Sequence, residues 1–156
     1  MPITEQRPTD TTRAIKANAA RRRLDKTEMY RLVQAAANQQ TPQRQIADLA
    51  EVSQTEVVRI LSRLRERPSL VDRSPSEVIN ERLAEKITSK QMMDELLNWE
   101  YTYGKVPVVN GYELDAYDPG TWDEVESAYH RKLISESEFR RIFERHAAEI
   151  EAADEA

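Results

Sequence analysis

The stretch IADLAEVSQTEVVRIL, residues 46–61, decides the predicted fold of this chain. Before Val52, the residues Ile46, Leu49 and Ala50 share one helical face. After Val52, a second apolar face is formed by Val57, Ile60, Leu61 and Leu64. The spacing therefore predicts two short helices that meet at Val52 and cross closely, because the alanines of the first helix are small.

The abrupt start of the second helix has a recognisable signal. Ser53-Gln54-Thr55-Glu56 is a capping-box sequence, in which a serine begins the helix and a glutamate follows three residues later. The side chains that face away from the predicted core are Gln54, Thr55, Val58, Arg59, Ser62 and Arg63. The alternative is a plain helical hairpin with a solvated polar face.

This segment resembles the helix-turn-helix of bacterial and phage repressors, and its spacing is similar to that of the lac-repressor family. The shared pattern is apolar-Ala-acidic-x-Ala-x-Val-Ser, followed by x-x-x-Val-x-Arg-apolar-apolar. Glu51 stands at the turn, where the family usually has glycine, and a left-handed backbone there costs a non-glycine residue about 1 kcal/mol.

The resemblance implies a transcriptional regulator, expected to be a repressor, that binds double-stranded DNA as a homodimer. The positions that match base-reading residues of the family are Gln54, Thr55, Val58 and Arg59. The positions that match phosphate contacts are Thr41, Gln43, Arg44, Ser53 and Arg63. An arginine that donates two hydrogen bonds to guanine is the commonest specific contact of this kind.

The rest of the chain is predicted to be mainly α-helical, because its first 103 residues contain no glycine and are rich in helix formers. We expect a trihelical helix-turn-helix domain over 25–73, after a flexible basic segment over 1–24. Its first helix would begin after Asp25, because Glu28 follows three residues later as in a capping box. A small acidic helical domain over 74–156, for dimerisation or partner binding, would contain one β-hairpin at 105–116, since Asn110-Gly111 lies between two extended runs. A faint internal repeat predicts two similar capped helical hairpins beside it.

The two halves of the chain carry net charges of opposite sign. Residues 1–73 have 14 basic against 9 acidic side chains, whereas residues 74–156 have 9 against 19, within an overall net charge of −5. Arg21, Arg22 and Arg23 are candidates for a basic arm or helix that contacts phosphates or enters the minor groove of DNA. The alternative for this run is a solubilising charged tail.

The acidic half holds nine of the ten aromatic residues. They either fill a second core or include anchors for a protein partner, with candidates Trp99, Tyr101, Tyr103 and Trp122. An acidic, aromatic-bearing half attached to a DNA reader is also the layout of an antitoxin that neutralises a toxin and regulates its own operon, which is our alternative function. A weaker third hypothesis is an architectural DNA-end or plasmid-partition protein.

Other function classes fit the sequence poorly. There are no cysteines, His130 and His146 have no ligand set nearby, and no phosphate loop or nucleophile motif occurs, so we expect no enzyme, cofactor or metal. No apolar run is long enough to span a bilayer, and the first residues lack the apolar core of a signal peptide. We therefore expect a cytoplasmic protein without a membrane partner.

Overall fold

A computed structural model describes residues 9–103, 108–109, 112–113 and 121–155. This part of the chain is mainly helical. Its α-helices are α1 (Asp10–Asn38), α2 (Gln43–Ala50), α3 (Gln54–Glu66), α4 (Pro75–Leu83), α5 (Ser89–Leu97), α6 (Trp122–His130) and α7 (Glu136–Asp154), with a short 3-10 helix at Pro68–Val71. The chain forms two compact units: a central unit, Asp25–Arg73, and a terminal unit, Met1–Leu24 with Ser74–Ala156.

The predicted flexible segment over 1–24 is wrong for residues 10–24, which belong to α1; residues 1–8 lie outside the described residues. The helix begins after Thr9, whose Oγ1 accepts a hydrogen bond from the backbone N–H of Thr12 at 3.2 Å. The alanines, arginines and leucine that follow are strong helix formers. The helix therefore continues through Asp25, where the capping signal predicted a start.

The core of the central unit is made by the second part of α1 together with α2 and α3. Its buried members are Tyr30, Val33, Ile46, Ala47, Val57, Ile60 and Leu64. The residues of α1 and α3 recur at helical spacing and those of α2 are adjacent, so each helix turns one apolar face to the shared interior. The unit covers the same residues as the predicted helix-turn-helix domain.

The terminal unit contains two helical hairpins of matching design, α4–α5 and α6–α7. The first helix, the turn and the start of the second helix each follow their counterparts by 47 residues, and the first helix of each hairpin has nine residues. Both turns use a non-glycine residue with positive φ, Glu85 (63°) and Lys132 (59°). Thr88 and Ser135 then begin the second helices with complete capping boxes. The predicted repeat of two capped helical hairpins is confirmed.

The hairpins enclose an aliphatic and aromatic core. Its buried members are Val78, Ile79, Met92, Met93, Leu96, Tyr101, Trp122, Val125, Ala128, Ile134 and Ile142. The segment after α5 is held to the start of α6, since the Trp122 N–H donates to the Thr102 carbonyl at 2.8 Å. The two hairpins thus share one interior.

The predicted β-hairpin over 105–116 is not supported as an element of this fold. The described residues there are two dipeptides, Val108–Val109 and Tyr112–Glu113, paired antiparallel. Such a pairing is shorter than a normal strand of about three to ten residues. The other residues of the predicted hairpin lie outside the described residues. The architecture of the described chain is therefore helical in both units.

Candidate nucleic-acid interface

The connection between α2 and α3 is as abrupt as the sequence predicts. Helix α2 ends at Ala50, and Glu51 adopts a left-handed backbone with φ 57° and ψ 40°. The N–H groups of Glu51 and Val52 donate to the carbonyls of Asp48 (3.4 Å) and Ala47 (3.1 Å), which caps the end of the helix. The turn thus forms without glycine, at a conformational cost of about 1 kcal/mol.

Helix α3 begins at the predicted serine but uses only one bond of the predicted capping box. The Ser53 Oγ accepts a hydrogen bond from the Glu56 N–H at 3.1 Å. A complete box would also have the Glu56 carboxylate accept from the Ser53 N–H. Instead, this carboxylate binds Arg59 on the next turn.

The inward faces of the two helices agree with the sequence except at Leu49. Val57, Ile60 and Leu64 of α3 are buried, but Leu49 is 75% exposed. The buried residues of α2 are Ile46 and Ala47, which moves the centre of its apolar stripe toward Ala47. Because successive residues turn by about 100°, this stripe leaves Leu49 outside the core.

The outward row of α3 is on the surface. Gln54, Thr55, Val58 and Arg59, the four predicted base readers, are all exposed, and Val58 retains 42% of its accessible area. The structure therefore brings these side chains together on one accessible face of the central unit.

The predicted phosphate-contacting residues are also accessible, although some have partners in the protein. Gln43, Arg44, Ser53 and Arg63 are exposed, whereas Thr41 is half-buried. The Ser53 hydroxyl is used as the helix cap. Nη1 of Arg63 donates to the hydroxyl of Tyr30 in α1 at 3.4 Å. Tyr30 thus positions Arg63. No sequence pattern predicted this role of Tyr30.

Arg59 of the outward row is paired with Glu56, which is not among the predicted site residues. Arg59 Nε donates to Glu56 Oε2 at 2.8 Å, and Arg59 Nη2 bonds to Glu56 Oε1. The hydrogen bond from Arg59, together with the charges of Arg59, Arg63 and Lys26, lowers the pKa of Glu56. The same bond raises the pKa of Arg59. The Glu-x-x-Arg spacing permits this pair on one helical face.

The predicted basic arm is instead part of α1 within the terminal unit. Arg21 and Arg22 are exposed, but Arg23 is half-buried and its Nε donates to Asn80 Oδ1 at 2.8 Å. Burial, followed by the charges of Arg131 and Arg22, lowers the pKa of Arg23. The three arginines therefore lie on a helix, and their contact with DNA stays a prediction.

The four candidate partner-binding aromatics divide into two groups. Tyr101 and Trp122 are only 7% and 4% exposed, and their rings pack edge to face at 5.2 Å in the core. They are structural residues, so the prediction of surface anchors is wrong for them. Trp99 and Tyr103 are half-buried and line a cavity of about 480 Å³. Toxin neutralisation by the acidic half stays a prediction.

That cavity borders a chain of polar contacts centred on His146, which is buried. Its Nδ1 lies 3.2 Å from Glu149 Oε2, and its Nε2 lies 3.0 Å from the Leu97 carbonyl. The Tyr103 hydroxyl donates to the same Glu149 oxygen at 2.9 Å. Both neighbours of the imidazole are hydrogen-bond acceptors when Glu149 is ionised. This contact joins α5 to α7.

The described residues contain neither a cluster suited to a metal ion nor a membrane-spanning helix. In that part of the chain, no group of three or more His, Asp or Glu side chains is arranged to hold a metal ion. Nor does any helix there combine the length and the apolar character that crossing a bilayer requires. Comparison of the chain with protein-family models, curated proteins and solved structures gave no match.

Proposed function

We propose that this chain is a sequence-specific DNA-binding protein that regulates transcription, with α3 lying in the major groove of a duplex. The observation that carries the proposal is the exposed row of Gln54, Thr55, Val58 and Arg59 on a helix whose opposite face is buried. A second helix with a polar outward row, joined to the first by a tight turn, is the arrangement that reads base edges in helix-turn-helix proteins.

The side chains of the outward row can form hydrogen bonds and apolar contacts with base edges. Arginine binds guanine O6 and N7 with two hydrogen bonds, and glutamine binds adenine N6 and N7 in the same way. Val58 offers an apolar contact for the methyl group of thymine, and Thr55 donates or accepts as the base requires. Together, these side chains carry the donors, acceptors and apolar surface needed to distinguish base pairs.

The surroundings of the row suit phosphates. Arg44 and Arg63 are exposed on the same unit, and helix N-termini offer further N–H groups that favour anions. If five phosphates were neutralised by each protomer, the logarithm of affinity would fall with the logarithm of salt concentration with a slope of about −4.5.

The proposal includes a homodimer. One recognition helix contacts only a few base pairs, whereas a two-fold pair of helices doubles the site at a separation of about one helical turn of DNA. The operator should therefore be an inverted repeat.

The experiment is a selection of duplexes from a random pool by the full-length protein, followed by mobility-shift titration of the enriched sequence. We expect an inverted repeat to be enriched. Arg59→Ala should weaken its binding about 5- to 150-fold, which is the range for loss of one bidentate base contact.

The matched control is Arg140→Ala. Arg140 also forms an exposed pair with a glutamate of its own helix, but this helix belongs to the terminal unit. R140A should bind the enriched duplex like the wild type. The proposal fails if no duplex is enriched, or if R59A and R140A bind equally well.

A further inference from the structure

Glu56 is an acidic residue in an otherwise basic neighbourhood of α3. Its charge interacts with Arg59, Arg63 and Lys26, all in the central unit. It also lies in the first turn of α3, where a carboxylate is stabilised by the helix dipole. A negative charge beside a DNA-binding surface weakens attraction to phosphates, so its position calls for a role in binding.

The contact with Arg59 uses the same groups that would read a base. Two N–H groups of one guanidinium edge, Nε and Nη2, bond to the two oxygens of Glu56. Guanine O6 and N7 likewise accept two hydrogen bonds from one guanidinium. In the free protein, Glu56 therefore occupies the bonding edge that Arg59 needs for guanine.

The pair is nevertheless easy to open. The Arg59 and Glu56 side chains are 43% and 36% exposed, and an exposed ion pair of this kind contributes little to stability. A bidentate guanine contact is strong enough to replace it. A carboxylate oxygen of Glu56 can then accept from the amino group of cytosine N4, which lies next to guanine O6 in the same base pair.

We propose that Glu56 is a specificity-determining residue of α3, which makes Arg59 favour a G·C pair over phosphate. This inference rests on the proposed function. When Arg59 contacts guanine, Glu56 finds a donor on the paired cytosine. When Arg59 contacts a phosphate, Glu56 is held near a second negative charge and has no donor. The unfavourable interaction of the Glu56 charge therefore weakens non-specific complexes with DNA more than complexes at a G·C pair.

The test is Glu56→Gln, measured on the duplex enriched by the wild type and on a scrambled duplex of equal length. Glutamine is itself a capping-box residue at this position, so α3 should still form. We expect E56Q to bind the scrambled duplex about fivefold more tightly, the effect of one exposed charge pair. Its salt slope should become steeper by about 0.9, as for one additional effective cation.

The matched control is Glu136→Gln, which removes the same charge and the exposed pair with Arg140 from α7. E136Q should keep the wild-type ratio of the two affinities. An unchanged ratio in E56Q, or an equal change in E136Q, overturns the inference while leaving the proposed function intact. Failure of the wild type to bind any duplex overturns both.

A measurement without DNA tests the contact itself. The Nε–H of Arg59 should exchange with water up to about fivefold more slowly in the wild type than in E56Q, which is the protection that one exposed ion pair offers. An Arg59 Nε–H that exchanges equally fast in both proteins overturns the inference, because Glu56 would then not hold the reading edge.

Discussion

Helices α3 and α7 begin with the same local sequence, Ser-x-x-Glu, yet their glutamates have different partners. In α7, the Ser135 N–H donates to Glu138 Oε1 at 2.8 Å, so the capping box is complete. In α3, Glu56 turns to Arg59 and leaves the box half formed. An arginine stands three residues after the glutamate in both helices, so this spacing alone does not decide the outcome.

The deciding contact in α7 comes from a distant part of the terminal unit. Arg82 of α4 donates through Nη1 to Glu138 Oε2 at 3.0 Å and through Nη2 to the Leu133 carbonyl at 2.9 Å. This half-buried arginine holds the Glu138 carboxylate at the start of the helix. Among the described residues, the Glu56 carboxylate forms its hydrogen bonds with Arg59 of the same helix, and it stays with the exposed row. The same motif thus connects α7 to α4 in the terminal unit, whereas in α3 it is part of the exposed surface.

The largest expected effect separates the two faces of α3. Ile60→Ala should lower the free energy of unfolding of the central unit by about 2–5 kcal/mol, because it removes buried methyl groups and leaves a cavity. Val58→Ala, on the exposed row, should change it by less than about 0.5 kcal/mol. Urea denaturation of both variants measures the difference. Similar losses would contradict an inward Ile60 and an outward Val58.

The next effect tests the two glutamates directly. Glu138→Ala should cost about 2 kcal/mol, since it leaves the guanidinium of Arg82 half-buried without its carboxylate. Glu56→Ala removes only an exposed pair and should cost less than about 1 kcal/mol. Both changes introduce the same residue at the same helical position, so helix propensity cancels in the comparison. Equal losses of unfolding free energy in the two variants would show that Glu138 does not stabilise the contact between α4 and α7.

Glycine substitutions at the left-handed turns should change the free energy of unfolding by a smaller amount, and they should increase it. Glu51→Gly should raise the free energy of unfolding by up to about 1 kcal/mol, because glycine adopts positive φ without the clash of a Cβ atom. Lys132→Gly, at the matching position of the second helical hairpin, should give a similar gain. Thermal unfolding of the two variants measures both. A loss of stability in E51G alone would mean that its side chain supports the turn.

The sequence predicts contacts between residues that are close in the chain better than contacts between residues that are far apart in it. The end of α2, the Ser53 cap and the buried faces of α3 depend on neighbours within a few residues, and these were predicted. Helix α1 was divided at Asp25 because a capping signal also fits inside a continuous helix. The bonds of Arg23 to Asn80 and of Arg82 to Glu138 join residues 57 and 56 positions apart, which local patterns do not pair.

The smallest expected effect concerns the titration of two exposed carboxylates. The hydrogen bond from Arg59 lowers the pKa of Glu56, and hydrogen bonds from Tyr103 and then His146 lower the pKa of Glu149, in each case from an ordinary value of 4.5. A lowered pKa in the folded state means that folding favours the ionised carboxylate. Each contribution to stability is therefore fully present above about pH 4.5 and is lost as the pH falls through the folded-state value.

Carboxyl NMR titration distinguishes the two cases, because Glu56 depends on a cation and Glu149 depends first on a neutral hydroxyl. Tyr103→Phe should raise the midpoint of Glu149 toward its ordinary value and leave Glu56 unchanged, while Arg59→Ala should do the reverse. Added salt should raise the midpoint of Glu56 more than that of Glu149, since screening weakens charge pairs in solvent more than a hydrogen bond to a neutral donor. Equal salt responses would mean that both carboxylates depend mainly on the surrounding charges, and the distinction between the two contacts would be lost.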